Sequence, residues 1–174
     1  DGIDDILHVY EVALLFPVNL YGVTKEAAEK TINASHANHG LATTIFRLSN
    51  VYGLSVYTRQ KTVIPKFVWQ ATNNQPLTIR ADGEQQRNFV HVQDVIDAIF
   101  KCLEAPGKAV GGETLNIGGE SRSVNQIADI VIQEAKEKLD RTISKVFAPL
   151  NPGEVYTHEF GYSYERAAQK IGYK

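Results

Sequence analysis

The sequence contains no methionine, one cysteine and one tryptophan in 174 residues. A single cysteine excludes a disulfide framework within the chain and fits a reducing compartment, so we expect a cytoplasmic protein. No apolar run approaches the ~20 residues of a membrane span, and we expect no signal peptide. The formal net charge is −2, which predicts no general attraction to nucleic acid or to an anionic membrane.

The chain begins at Asp1 without an initiator methionine and ends at Lys174, directly after a helical pattern. We therefore expect a fragment of a longer protein, although proteolytic processing would leave the same ends. Hydrophobic residues make up 43% and charged residues 22% of the chain, as in ordinary soluble globular proteins. The length is sufficient for a hydrophobic core.

Segments with helical and strand-like patterns alternate along the chain. Apolar residues at helical spacing predict a helix over residues 21–39 that ends at Gly40. β-Branched and aromatic residues predict a strand over residues 43–48, followed by a polar loop over residues 49–53. Further helices are predicted over residues 61–74 and 164–171. Another is capped by Asp94, and another starts with a capping box at Ser123 and Gln126. Further strands are predicted over residues 77–80, 88–92, 113–117 and 143–147. This alternation predicts an α/β fold with a mainly parallel sheet.

Tyr21 and Lys25 lie at the start of the first predicted helix, and their spacing of four places them on one face. A phenol normally titrates near ~10, and a neighbouring cation favours the phenolate. The pair therefore predicts an acid/base that moves a proton on or off a hydroxyl. The spacing alone is weak, because composition predicts about half a chance match. A second match occurs at Tyr57 and Lys61.

Five short motifs follow each other in a characteristic order. They are Pro17…Tyr21-Gly22-x-x-Lys25, Arg47-x-x-Asn50-Val51-Tyr52-Gly53, Val63-Ile64-Pro65, Gly83-x-x-x-Arg87-x-Phe89-Val90-His91-Val92-x-Asp94, and Asn116-Ile117-Gly118. Together they closely resemble the extended short-chain dehydrogenase/reductase family, in particular its NAD-dependent nucleotide-sugar epimerases and dehydratases of the UDP-glucose 4-epimerase type. The resemblance runs from about Pro17 to Lys174.

The resemblance implies an α/β fold: the C-terminal part of a Rossmann-like parallel sheet with a smaller α/β substrate-binding subdomain. Residues 1–60 would be the remainder of the NAD-binding domain. Residues 61–174 would be mostly the substrate-binding subdomain, with strands that return to the sheet. The resemblance also implies a nucleotide-sugar substrate and a homodimer formed through the 21–39 helix.

The resemblance assigns Tyr21 as the catalytic acid/base and Lys25 as its partner, both in contact with NAD. Asn50 would contact the cofactor or the substrate, and Arg87 would bind the substrate diphosphate, because a guanidinium matches phosphate oxygens in two-point contact. The alternatives are a surface pair for Tyr21 and Lys25, a turn residue for Asn50 and a solvated charge beside Glu84 for Arg87.

Other polar residues receive structural interpretations. We expect Arg47 to order its loop, Asn116 to hold a strand end and His91 to be packed within a strand. His36 and His39 lie three residues apart in the first helix, but no cysteine or carboxylate set completes a metal site, so no metal is expected. Basic residues do not form a stripe with aromatics, so we expect no nucleic-acid binding.

The sequence departs from the family pattern in several places. The glycine-rich dinucleotide motif and the family's catalytic Ser or Thr would both precede Asp1. The chain alone is therefore not expected to bind NAD tightly or to turn over. Asn151 stands where the family often has a second diphosphate-binding arginine, and the common Arg-Asp-Phe appears as Arg87-Asn88-Phe89. These two differences leave room for another nucleotide sugar or for a substrate without a diphosphate.

The leading functional hypothesis is an NAD-dependent epimerase or dehydratase that transiently oxidises the C4 carbon of a nucleotide sugar. An alternative within the same fold is an NAD(P)-dependent reductase of a keto-sugar or another carbonyl. A third hypothesis is a member without catalysis that senses a cofactor or binds a partner.

Overall fold

A computed structural model describes residues 7–9, 11, 17, 19–54, 62–150 and 160–174 of the chain. The helices are α1 (Leu20–His39), α2 (Val63–Thr72), α3 (Val92–Glu104), α4 (Gly107–Val110), α5 (Val124–Leu139) and α6 (Glu165–Ile171). The strands are β1 (Leu7–Val9), β2 (Thr44–Leu48), β3 (Asn50–Tyr52), β4 (Leu77–Arg80), β5 (Gln86–His91), β6 (Glu113–Ile117), β7 (Glu120–Ser123), β8 (Lys145–Ala148) and β9 (Phe160–Tyr162). The predicted α/β class is confirmed.

Strand pairing is parallel in two of the ladders. β2 pairs with β6 in parallel, with Thr44 opposite Glu113 and Leu48 opposite Ile117. β4 pairs with β8, also in parallel. A third sheet has the order β3-β5-β7, in which β5 and β7 are antiparallel, and β1 pairs with β9. Parallel neighbours need a crossover connection, which agrees with the helices that separate these strands in the sequence.

The chain folds into two compact units, each assembled from separate segments. The first unit comprises residues 1–7, 50–89 and 120–161, and the second comprises 8–49, 90–119 and 162–174. Each unit has its own apolar core. In the first, residues of α2, β4 and α5 surround Leu77, and in the second, residues of β6, α3 and α6 surround Leu115. The expected boundary at residue 60 stays a prediction.

Local sequence signals explain most of the boundaries. The capping box of α5 is present, since Ser123 Oγ accepts from Gln126 N at 3.1 Å and Gln126 Oε1 accepts from Ser123 N at 2.8 Å. Two expectations were wrong. α3 begins after His91, whose Nδ1 accepts from Gln93 N at 3.2 Å, so Asp94 lies in the first turn and is not the cap. Residues 50–52 form strand β3, where the sequence predicted a polar loop.

Candidate active site

Helix α1 carries the tyrosine and the lysine predicted to be catalytic. It begins after Asn19, whose Oδ1 accepts from Gly22 N at 2.8 Å. A side chain on Gly22 would place its Cβ 2.9 Å from Pro17 Cβ, so this turn requires glycine. The helix ends at Gly40, which adopts the left-handed conformation at φ 65°. Asn19 and Gly22 therefore set the start of the helix just before Tyr21, and Gly40 sets its end.

The structure brings Tyr21 and Lys25 together on the first turns of α1. Lys25 Nζ lies 5.3 Å from the centroid of the Tyr21 ring, within the range of a cation–π contact. Tyr21 is 71% exposed, so its hydroxyl can reach a bound molecule. The pair therefore combines a protonatable hydroxyl, a cation and access to a ligand.

Glu29 lies one further turn along the same helix and pairs with Arg47 of β2. The guanidinium donates to the Glu29 carboxylate through Nε at 3.0 and 3.2 Å and through Nη2 at 2.7 Å. Sequence analysis missed Glu29, although its place four residues after Lys25 was a visible signal. Arg47, which the sequence predicted to order its loop, therefore also contacts helix α1.

Tyr162 contacts the main chain of Arg47. Its hydroxyl donates to Arg47 O at 2.8 Å. Burial raises the pKa of the Tyr162 phenol far above its usual value, although the charge of Arg47 opposes this. The phenol therefore stays protonated and keeps donating to the strand.

Asn50 and Arg87 lie on neighbouring strands of the β3-β5-β7 sheet. Asn50 Nδ2 donates to Asn88 O at 2.9 Å, which joins β3 to β5. Because Asn50 is part of a strand, the alternative that it is an ordinary turn residue was wrong. Arg87 Nη1 donates to Gln86 O at 2.7 Å. The Glu84 carboxylate accepts a hydrogen bond from Asn125 Nδ2.

The remaining predicted polar residues have structural contacts. Asn116 is fully buried and Nδ2 donates to Ser163 O at 2.9 Å, so it holds the end of β6 as expected. His36 Nδ1 forms a hydrogen bond with Leu41 O at 2.7 Å. The His36 ring packs against Gly112, where an added Cβ would lie 2.6 Å from His36 Nε2. His39 is exposed. Among the described residues no group of three or more His, Cys, Asp or Glu side chains is arranged to bind a metal.

The carboxyl end of β6 is held by the C-terminal segment. Tyr173 is buried, and its hydroxyl donates to Gly118 O at 2.6 Å. Burial, with smaller contributions from Asp94 and Tyr164, raises the pKa of Tyr173 to about 12.

Tyr57, Lys61 and Asn151 lie outside the described residues. Within the described part of the chain, no helix has both the length and the apolar character needed to cross a bilayer.

Comparison with known proteins assigns the chain to a family. The model of the NAD dependent epimerase/dehydratase family matches residues 9–118, which is more than half of the chain. The chain belongs to the NAD-dependent epimerase/dehydratase family. The match includes Tyr21, Lys25, Asn50 and Arg87.

Members of this family resemble the chain in sequence and in structure. An uncharacterized UDP-glucose epimerase of Bacillus subtilis is 34% identical over 71% of this chain and 38% of its own length. The human dTDP-D-glucose 4,6-dehydratase is 37% identical over 70% of this chain and 33% of its own length. A similar solved structure is that of UDP-glucuronic acid 4-epimerase from Bacillus cereus in complex with UDP-glucuronic acid and NAD. It superimposes on this chain with a TM-score of 0.80 and 30% sequence identity. The superposition covers 96% of this chain and 51% of the epimerase chain.

The chain spans about half the length of this structural relative, and its matches cover 38% and 33% of the two curated relatives. The epimerase/dehydratase fold is confirmed for the segment that matches. Both epimerases and dehydratases are among the relatives, so the family assignment does not distinguish the two reactions.

Proposed function

We propose that the protein carrying this chain is an NAD-dependent enzyme that epimerises or dehydrates a nucleotide sugar through transient oxidation at C4. The observation that carries the proposal is the Lys25 ammonium 5.3 Å from the ring of the exposed Tyr21. Relatives described as epimerases, dehydratases and NAD complexes support the reaction class. The expected homodimer and the cytoplasmic location stay predictions.

Tyr21 and Lys25 would form part of a cofactor site. The Tyr21 hydroxyl and the Lys25 ammonium can hydrogen-bond the hydroxyls of a ribose, and both side chains are exposed. Bound NAD would supply reversible hydride acceptance from the C4 carbon. The glycine-rich motif that receives a pyrophosphate is not in this sequence, so residues outside it would have to bind that group.

Tyr21 would move the proton of the C4 hydroxyl. It accepts that proton as the C4 carbon loses its hydride and a ketone forms. In epimerisation it returns the proton when the alcohol forms again at C4, whereas in dehydration C4 stays a ketone in the 4-keto-6-deoxy product. Lys25 places a positive charge 5.3 Å from the centroid of the Tyr21 ring, beside the group that handles the proton. A positioned acid/base of this kind contributes roughly 10²- to 10⁴-fold to a rate.

Arg87 and Asn50 would bind the substrate. The Arg87 fork suits two-point contact with a diphosphate, and its strand β5 lies between β3 and β7 in one sheet. Asn50 Nδ2 is already engaged with Asn88 O, which leaves its carboxamide oxygen as the group that could accept from a ligand hydroxyl.

The decisive experiment replaces Tyr21 with phenylalanine in the full-length protein. Tyr21→Phe keeps the ring and removes the hydroxyl, so we expect kcat to fall by about 10²- to 10⁴-fold while NAD still binds. Turnover is measured with a panel of nucleotide sugars, and the products distinguish C4 epimers from 4-keto-6-deoxy sugars.

Tyr57→Phe is the matched control, because Tyr57 belongs to the second Y-x-x-x-K match. We expect its kcat to stay near that of the unmodified protein. Loss of turnover in Tyr57→Phe with full turnover in Tyr21→Phe would reverse the assignment, and absence of NAD binding by the unmodified protein would refute the proposed function.

A further inference from the structure

The Glu29–Arg47 ion pair differs from an ordinary surface pair in burial and geometry. Glu29 and Arg47 side chains are only 17% and 19% exposed, and two guanidinium nitrogens contact both carboxylate oxygens. By contrast, Lys30 of the neighbouring Glu26–Lys30 pair on α1 is 75% exposed. Two-point arginine–carboxylate contacts restrict orientation more than a single contact does, whereas exposed pairs contribute little.

Glu29 shares a side of α1 with the two residues proposed to be catalytic. Four residues turn an α-helix by about 400°, so Tyr21, Lys25 and Glu29 follow each other with an offset of about 40° per step. Tyr21 lies about 12 Å from Glu29 along the helix axis, toward the N-terminus, at about 1.5 Å per residue. A rotation of the helix that moved Glu29 away from β2 would therefore also turn the tyrosine.

Among the described residues, few other contacts join α1 to the rest of the chain. None of its residues is buried in the described structure, so apolar packing does little to hold one face inward. Near its C-terminal end, His36 is fixed by its bond to Leu41 O. Within the part of the chain that the structure describes, Glu29 is the charged side chain nearest to Tyr21 that contacts a strand.

Arg47 offers a rigid partner for Glu29. Its strand β2 is paired with β6, and Arg47 stands opposite Asn116. Its carbonyl accepts from Tyr162, and its Nη1 donates to Glu11 O at 3.2 Å. Both the main chain and the guanidinium of Arg47 therefore have contacts that do not depend on Glu29.

We propose that the Glu29–Arg47 ion pair positions Tyr21 and Lys25 by fixing the rotation of α1 against β2. This inference rests on the proposed acid/base role of Tyr21. Glu29 and Arg47 are positioning residues, because they act on the reaction through the helix. The pair should matter for the rate of the chemical step more than for substrate binding.

The test compares Glu29→Gln with Glu26→Gln in the full-length protein, since both remove one carboxylate from the same helix. We expect Glu29→Gln to lower kcat by about 10- to 100-fold, because small displacements of a reacting group have effects of that size. KM should change less than about threefold. Glu26→Gln should leave both constants unchanged.

Two further variants separate positioning from general destabilisation. Arg47→Lys keeps the charge but loses the fork, so its kcat should fall as in Glu29→Gln. The double variant Glu29→Gln/Arg47→Lys should be no slower than the slower single variant, because residues that act as one unit are not additive. Additive losses would contradict a shared role.

Hydrogen exchange of the amides of residues 20–28 provides a readout that does not depend on activity. We expect faster exchange in Glu29→Gln than in Glu26→Gln. Wild-type kcat in Glu29→Gln, with turnover abolished in Tyr21→Phe, would overturn the positioning role and leave the proposed function intact. Full activity of Tyr21→Phe would instead refute the catalytic assignment of Tyr21. Equal hydrogen exchange in Glu29→Gln and Glu26→Gln would refute the role of Glu29 in fixing α1.

Discussion

Arg87 and Arg122 stand directly opposite each other on β5 and β7. Side chains at such positions project from the same face of a sheet, and like charges there repel. Glu120 offsets one of them, since its Oε2 lies 2.6 Å from Arg122 Nη2.

At the residue scale, we predict that Arg87→Lys weakens binding of the nucleotide sugar. Lysine keeps the charge but cannot make a two-point contact, and hydrogen bonds to charged groups contribute about 1.5–3 kcal/mol. KM should rise about 10- to 100-fold, with a smaller change in kcat, in steady-state kinetics of the full-length protein.

Arg166→Lys serves as the control for this prediction. Arg166 belongs to the second unit, where Nη1 lies 3.4 Å from Glu113 Oε2. Its replacement should leave KM unchanged. An unchanged KM in Arg87→Lys would instead favour a substrate without a diphosphate, as the departures from the family pattern allow.

Helices α1 and α5 show how differently two elements of the chain are stabilised. α5 buries Val124, Ile127, Ala128 and Ala135 in the first core and begins with a capping box. α1 buries no residue, and it depends on its caps, on the Glu29 ion pair and on the His36 contact. Among the described residues, the contacts of the element that carries the proposed catalytic pair are therefore mainly polar.

At the element scale, we predict that Ser123→Ala destabilises α5. The substitution removes the Oγ that accepts from Gln126 N, and loss of a cap costs about 1 kcal/mol. Denaturant unfolding should show a lower midpoint with an unchanged slope.

Ser35→Ala is the matched control in the interior of α1. Ser35 Oγ donates to Thr31 O within the helix, and alanine is the better helix former. Its stability should be equal or slightly higher. An equal loss in both variants would mean that the capping box of α5 contributes nothing specific.

On the scale of the whole molecule, the two units are built from alternating segments of the chain. The first takes 50–89 and 120–161, and the second takes 90–119 between them. Leu77 and Leu115 are fully buried, one in each core. A matched pair of substitutions can therefore examine the two cores separately.

We predict that Leu77→Ala and Leu115→Ala each reduce stability by about 2–5 kcal/mol. Hydrogen exchange should increase mainly in α2, β4 and α5 for Leu77→Ala, and mainly in β6, α3 and α6 for Leu115→Ala, because these elements surround the respective cavities. Identical exchange patterns in the two variants would contradict separate cores.

The predictions that succeeded rest on signals within a few residues of each other. The helix over 21–39, its end at Gly40 and the capping box at Ser123 are local features, and they are confirmed. The wrong assignments needed information from distant residues. Residues 50–52 are a strand because β5 pairs with them, and His91 replaces Asp94 as the cap because β5 continues up to it.

The sequence by itself determined the α/β class, the course of α1 and the adjacency of Tyr21 and Lys25, since helical periodicity and capping act over one or two turns. Only the tertiary structure decided that each unit is assembled from separate segments of the chain, that Arg87 stands opposite Arg122 and that Glu29 pairs with Arg47, 18 residues away. Such contacts depend on which strands become neighbours, and that choice is made by the burial of apolar side chains from the whole chain.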